Sequence, residues 1–211
     1  MSERPGQPGG KRATNRARKT AELAQAALAL FLEEGIQAST IDRITSAAGT
    51  AKGNFYRYFD DKAALVEHLI RPVFEQVSAG LDRCSDSLEA APTPEVMLAA
   101  YQRLAFDLSG VLLGNRDVVL LYLQENRGPA AGAREPIAEV RSLIGRRVVE
   151  ITDLAHSHHL LADIDPRVSA LAVVGAVERL LMAVLTDEDI GDPIQAGEAL
   201  IRMVLDGLRR R

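Results

Sequence analysis

Tryptophan is absent from the 211 residues, cysteine occurs once, histidine four times, and the aromatics are limited to four tyrosines and five phenylalanines. With Cys84 alone, an intramolecular disulfide and a cysteine-rich metal site are both excluded, and the thiol reads as a partly buried side chain. No unbroken apolar run is long enough to span a bilayer, so no membrane segment is expected. The basic start (Lys11, Arg12, Arg16, Arg18, Lys19) ahead of apolar Leu23 to Leu32 imitates a secretory leader. Glu33, Glu34 and Gly35 follow directly, without a small-residue cleavage site, so a cytoplasmic location is expected. Catalytic signatures are missing too. There is no nucleophile elbow, no phosphate loop and no HExxH, and the carboxylates are scattered, so neither an enzyme nor a cofactor is expected. His156, His158 and His159 stand close together, with His156 and His159 on one helical face. No paired Cys or Glu lies at ligand spacing, so the reading is a solvated helix end and no metal site, with a histidine-based metal sensor as the alternative.

What remains is ample for a core: 47% of the residues are hydrophobic, as in ordinary globular proteins. The net charge of −4 hides an asymmetry. Residues 1–62 carry ten Lys/Arg against seven Asp/Glu, and the rest carries fifteen against twenty-two. A basic end on an acidic body suits phosphate binding at that end. Apolar residues recur at spacings of three and four, and no segment alternates with period two, so the chain is expected to be all-α with about nine helices. Residues 1–13 read as a flexible basic arm, 14–62 as a three-helix unit, and 63–211 as a second helical domain. Helix 1 is expected to stop at Gly35, Asp60 to cap helix 4, and Pro72 to kink or split helix 4.

The informative segment is residues 40–62, TIDRITSAAGTAKGNFYRYFDDK. Two short helices separated by Gly49, with Ala47 and Ala48 allowing close approach, are how a helix-turn-helix is built. The third helix, about Ala51 to Tyr58, is too short to be stable alone and holds a glycine that costs about 1 kcal/mol. Phe55 and Phe59, four apart, can anchor it, leaving Lys52, Asn54, Tyr56, Arg57 and Tyr58 outward. Such a helix fits a major groove about 12 Å wide, and Gly53 lets its backbone approach the bases. Lys52 and Asn54 suit base edges, while Thr40, Tyr56 and Tyr58 can donate to phosphates. Lys62, in the first turn of helix 4, opposes the helix dipole, which makes sense where an anion docks.

These motifs resemble the TetR family of transcriptional regulators. AELAQAALALFLEEG, STIDRITSAAG, AKGNFYRYF and DDKAAL follow the family's order and spacing over about residues 20–66. The resemblance implies double-stranded operator DNA as partner, with Thr40, Thr50, Lys52, Gly53, Asn54, Tyr56, Arg57, Tyr58 and Lys62 at the DNA. Ala51, Asn54 and Arg57 depart from the commoner residues, so the bases read are this chain's own. It also implies a palindromic site, a repressor released by a small lipophilic effector, and an effector cavity, for which Phe74, Tyr101, Leu104, Tyr122, Glu125, Arg147 and Ile151 are the candidates. By the same analogy the last two helices make a homodimer. Ile194, Gly197, Ile201, Val204 and Leu208 form one stripe, and Ala172, Gly175, Ala176 and Ala183 are small enough for close approach. Pro72 and helix 4 are expected to link reading head and cavity. A helical carrier or enzyme with a vestigial N-terminal motif is the rival reading.

Overall fold

The computed structural model describes residues 10–161 and 164–208; Lys11, Pro193, Ile194 and 205–208 are described by their backbone alone. Nine α-helices and one 3-10 turn account for about four-fifths of the described chain, and no strand occurs there. Residues 1–9, most of the expected arm, lie outside the described residues, and the helix already begins at Lys11.

The N-terminal unit is built on α1 (Lys11–Ala38), α2 (Ile41–Ala47) and α3 (Lys52–Phe55). Leu23, Ala27 and Phe31 recur every four residues on the buried face of α1. Gly35 interrupts α1, where a stop is expected. It takes φ 83° and ψ 158°, a backbone conformation open essentially only to glycine, and the chain kinks there and regains helix to Ala38. Thr40 caps α2 by accepting from the Arg43 amide at 3.2 Å. Gly49, at φ 62°, makes the turn into α3. Phe55 is fully buried and Phe59 nearly so, with ring centroids 5.7 Å apart, and Phe59 meets His68 edge-on.

The second unit is organised around α4 (Lys62–Ala90), which packs against both α5 (Pro94–Gly114) and α7 (Glu135–Ser157). Asp61, not Asp60, caps it by accepting from the Ala64 amide at 2.8 Å. Pro72 does not split this helix. It sits on the exposed side, where the hydrogen bond it removes faces solvent, while Ile70, Val73, Phe74 and Val77 hold the buried side. Helix α6 (Arg116–Glu125) packs against α1, the Gly132–Arg134 3-10 turn follows, and α8 (Pro166–Leu185) lies on α7 and α9 (Pro193–Leu208). By length and composition α5 and α8 could cross a membrane, with mean hydropathies of 1.3 and 2.0. Their apolarity has a local reason: one side of each walls an internal cavity.

Candidate functional site

Two places concentrate unusual features: the outer face of α3 and the cavity between α4 and α9. On α3, Phe55 is a wedge driven into the N-terminal core, and Lys52, Gly53, Tyr56 and Arg57 are left exposed, Tyr56 by 53%. Gly53 has no internal explanation. Its φ is ordinary, and no neighbouring atom lies within 4 Å of where a Cβ would stand. Lys52 pairs with Asp42 at 3.0 Å, and that hydrogen bond raises its pKa. Both partners are exposed, so water and salt compete with the pair and the lysine is easily released. Asn54 donates to the Thr50 hydroxyl at 2.9 Å, which orients its amide and leaves the carbonyl oxygen free of that bond. Tyr58 is half-buried, with the Arg16 guanidinium 5.5 Å from its ring centre.

Sequence reasoning missed the part that α1 plays. Lys19 joins Thr50, Asn54, Arg57 and Tyr58 around a recess of about 160 Å³ between α1 and α3. The signal was available: Arg12, Arg16 and Lys19 stand four and three apart and share one helical face.

Lys62 is a correction. Its ammonium donates to the main-chain oxygens of Ile36 at 2.6 Å, Ser39 at 2.7 Å and Gln37 at 3.5 Å. It therefore satisfies the orphan carbonyls at the end of α1 and is not presented to an anion. Burial lowers its pKa, partly opposed by the nearby Glu125 carboxylate.

Glu125 is the second correction. It does not face the cavity; only 5% of it is exposed, and Oε1 accepts from the Ile36 amide at 2.8 Å while Oε2 pairs with Arg134. A Cβ at position 35 would stand 3.1 Å from that Oε1, so the kink, the glycine and the carboxylate form one joint between the two units. Arg147 is the third correction. It pairs with Asp82 at 3.0 Å and Glu150 at 3.1 Å on the surface, with no part in the cavity wall.

The cavity measures about 250 Å³. Phe74, Tyr101, Leu104, Tyr122 and Ile151 line it as expected, joined by Leu108, Val148 and Val177, which sequence reasoning missed. Phe74 and Tyr122 pack with their rings tilted by 48°, 4.7 Å between centroids. Burial pushes the Tyr122 phenol up to about 12 and the Tyr101 phenol higher still. The wall is hydrocarbon except for a few hydroxyls and Glu178.

The expected dimer stripe divides. Ile201 and Val204 turn inward and close the cavity, and Ala183 is buried within the protomer, 2% exposed; in each case α8 and α9 need apolar side chains for their own core. The side chains of Ile194 and Leu208 lie outside the described residues. Ala172 is exposed, Gly175, Ala176 and Gly197 are half-buried, and open space lies above both glycines. Around them Val168, Leu171 and Met203 are 60–68% exposed, a free apolar face. His158 and His159 are exposed, and no group of three or more potential metal ligands occurs among the described residues.

Residues 23–69 match the bacterial regulatory proteins of the tetR family. The transcriptional repressor KstR2 of Rhodococcus jostii is 31% identical over 96 residues, 38% of this chain and 47% of the relative, so the match spans about half of that protein. The fatty acid metabolism regulator protein of Bacillus subtilis is 19% identical over 92% of this chain and 97% of its own. NalD, the secondary repressor of the MexAB-OprM multidrug efflux pump in Pseudomonas aeruginosa, superposes with a TM-score of 0.71 at 22% identity, covering 93% of this chain and 98% of NalD. FadR from Bacillus subtilis, solved with stearoyl-CoA, superposes at 0.62 with 19% identity over 89% and 98%. At these identities the structures establish a common fold.

Proposed function

We propose, on the match of residues 23–69 to the tetR family of bacterial regulatory proteins, that this chain is a cytoplasmic homodimeric repressor that binds double-stranded operator DNA and is released by a small lipophilic effector. The observation that carries the reading is α3. It is seated by one buried phenylalanine, its Lys52, Tyr56 and Arg57 are exposed, Lys52 with only a solvent-exposed ion pair to Asp42, and its glycine answers to nothing inside the chain. A side chain at position 53 would cost the protein no packing, so the open backbone is explained by what comes from outside.

In this account α3 lies in the major groove. Lys52 leaves Asp42 for the bases, Asn54 reads an edge while Thr50 holds it, and Tyr56 and Thr40 donate to phosphates. The Arg12, Arg16 and Lys19 face of α1 adds cations toward the backbone. Lys62 acts one step back, by fixing the end of α1 that seats the reading head. One α3 makes too few base contacts for tight specificity, and two related by a two-fold axis double them on a palindromic site. The exposed face of Val168, Leu171, Ala172 and Met203 supports α8 and α9 as the pairing surface.

Release follows from α6. Tyr122 on that helix walls the cavity, and Glu125, three residues on, holds the α1 kink. A molecule that prefers a cavity with Tyr122 displaced moves the joint with it. Only its differential affinity for the two arrangements shifts the population away from the DNA-binding form. The FadR relative crystallised with stearoyl-CoA supports a lipophilic occupant for a cavity in this fold. The relatives are regulators, and a catalytic role is not proposed.

The test is selection of bound fragments from random-sequence DNA by the purified protein. A palindromic consensus, with half-site spacing near one helical turn or a multiple, supports the reading. Failure to enrich any sequence over many rounds opposes it.

A further inference from the structure

Resting on the cavity as effector site, we propose that its ligand is a lipophilic monocation: an apolar body of about ten non-hydrogen atoms with one ammonium-type head, anchored by Glu178. Size follows from scale. A cavity of about 150 Å³ holds the six carbons of benzene, and this one measures about 250 Å³.

The head group follows from one carboxylate. Glu178 on α8 is the only charged side chain in the wall among the described residues, half-buried among valines and leucines. Its Oε1 accepts from the Tyr122 hydroxyl at 3.3 Å and from Asn126 Nδ2 at 2.9 Å. Its Oε2 accepts from no group among the described residues, and no cationic nitrogen there forms an ion pair with it. Asn126, 3% exposed, donates one amide hydrogen to Glu178, and its Oδ1 is buried without a donor. Arg141 donates to the main-chain oxygen of Asn126 and forms no ion pair with Glu178.

Glu178 therefore brings to a hydrocarbon wall a carboxylate with a free oxygen and no ion pair among the described residues. A carboxylate partly withdrawn from water gains from a countercharge. An ammonium supplies three donors and the opposite charge at once. An alcohol supplies one donor and no charge, and a carboxylate head adds a third acceptor and a second negative charge. The order of affinity is then ammonium, alcohol, carboxylate, for bodies of equal size.

The experiment is isothermal titration of the full-length protein with nonylammonium, 1-nonanol and nonanoate below their aggregation limits, repeated on Glu178→Gln. The expected result is one site per protomer. Nonylammonium binds about tenfold or more tighter than 1-nonanol, and nonanoate binds weakest. Glu178→Gln lowers the ammonium affinity about tenfold or more and leaves the alcohol within about threefold. The ranking in the unmodified protein decides the matter on its own should the variant be unstable. Equal affinities, a preference for nonanoate, or an ammonium affinity unmoved by Glu178→Gln overturns the cationic assignment while the cavity remains a ligand site. Binding of none of the three removes the cavity reading as well.

Discussion

Replacing Glu125 by alanine is expected to loosen the reading head from the body. The Ile36 amide would lose its only side-chain acceptor, and Arg134 would keep a cation that is 21% exposed with no carboxylate opposite. Breaking a buried pair by removing one partner costs about 3–5 kcal/mol. At about 2–4 °C per kcal/mol for a chain of this size, the midpoint of thermal unfolding should fall by roughly 6–20 °C. Gly35→Ala attacks the same joint from the other side. The φ of 83° alone costs an L residue about 1–3 kcal/mol, and the new Cβ, 3.1 Å from Oε1, adds to that. The double variant should be less destabilised than the two singles together predict, because Glu125→Ala removes the atom the Cβ meets. Urea unfolding followed by circular dichroism gives all the free energies. A fall of less than about 1 kcal/mol for Glu125→Ala, or strict additivity of the pair, refutes the joint as described.

Other outcomes follow from single residues. Phe55→Ala empties the seat of α3; it should cost about 3–5 kcal/mol in urea unfolding and abolish operator binding in a mobility-shift assay. Lys62→Met should lower stability by about 1–3 kcal/mol, since buried carbonyls at the end of α1 lose their donor, as thermal unfolding would report. Burial pushes the Cys84 thiol up to about 11 from about 9. The unfolded chain therefore sheds this proton first, and stability contributed below pH 9 is lost as pH rises towards 11. Denaturation at pH 8 and pH 10.5 should show that loss in the unmodified protein and a smaller one in Cys84→Ala. Leu171→Glu puts a charge on the free apolar face of α8, and sedimentation should report a dimer for the unmodified protein and protomers for the variant.

Much of this fold could be read from spacing because its signals are local. Thr40 before an apolar pattern marked α2, Gly49 the turn, and Phe55 with Phe59 the seat of α3. Five of the cavity residues came from the family resemblance, which implies a cavity among the middle helices. The misreadings share a cause, since each depended on a partner far away in sequence. Lys62 looked like an anion site because its carbonyl partners stand 23 to 26 residues earlier. Glu125 looked like a ligand contact because the amide it accepts from is 89 residues distant. Ile201 and Val204 showed that α9 has an apolar stripe, but a stripe does not say whether its neighbour is the same chain or another. Gly35 announced a break, and only the carboxylate beside it made that break a kink within one helix. Pro72 was harmless because the buried face of α4 lies on the other side.

The central claim is that the outer face of α3 touches DNA while Lys62 serves the interior. Its most direct test is the salt dependence of operator binding by fluorescence anisotropy for the unmodified protein, Lys52→Ala, Tyr56→Ala and Lys62→Met. The account predicts a steep linear fall of log affinity with log salt, a large loss of affinity in both α3 variants, and an unchanged slope in Lys62→Met. Binding indifferent to salt, or α3 variants that bind as tightly as the unmodified protein, would contradict it.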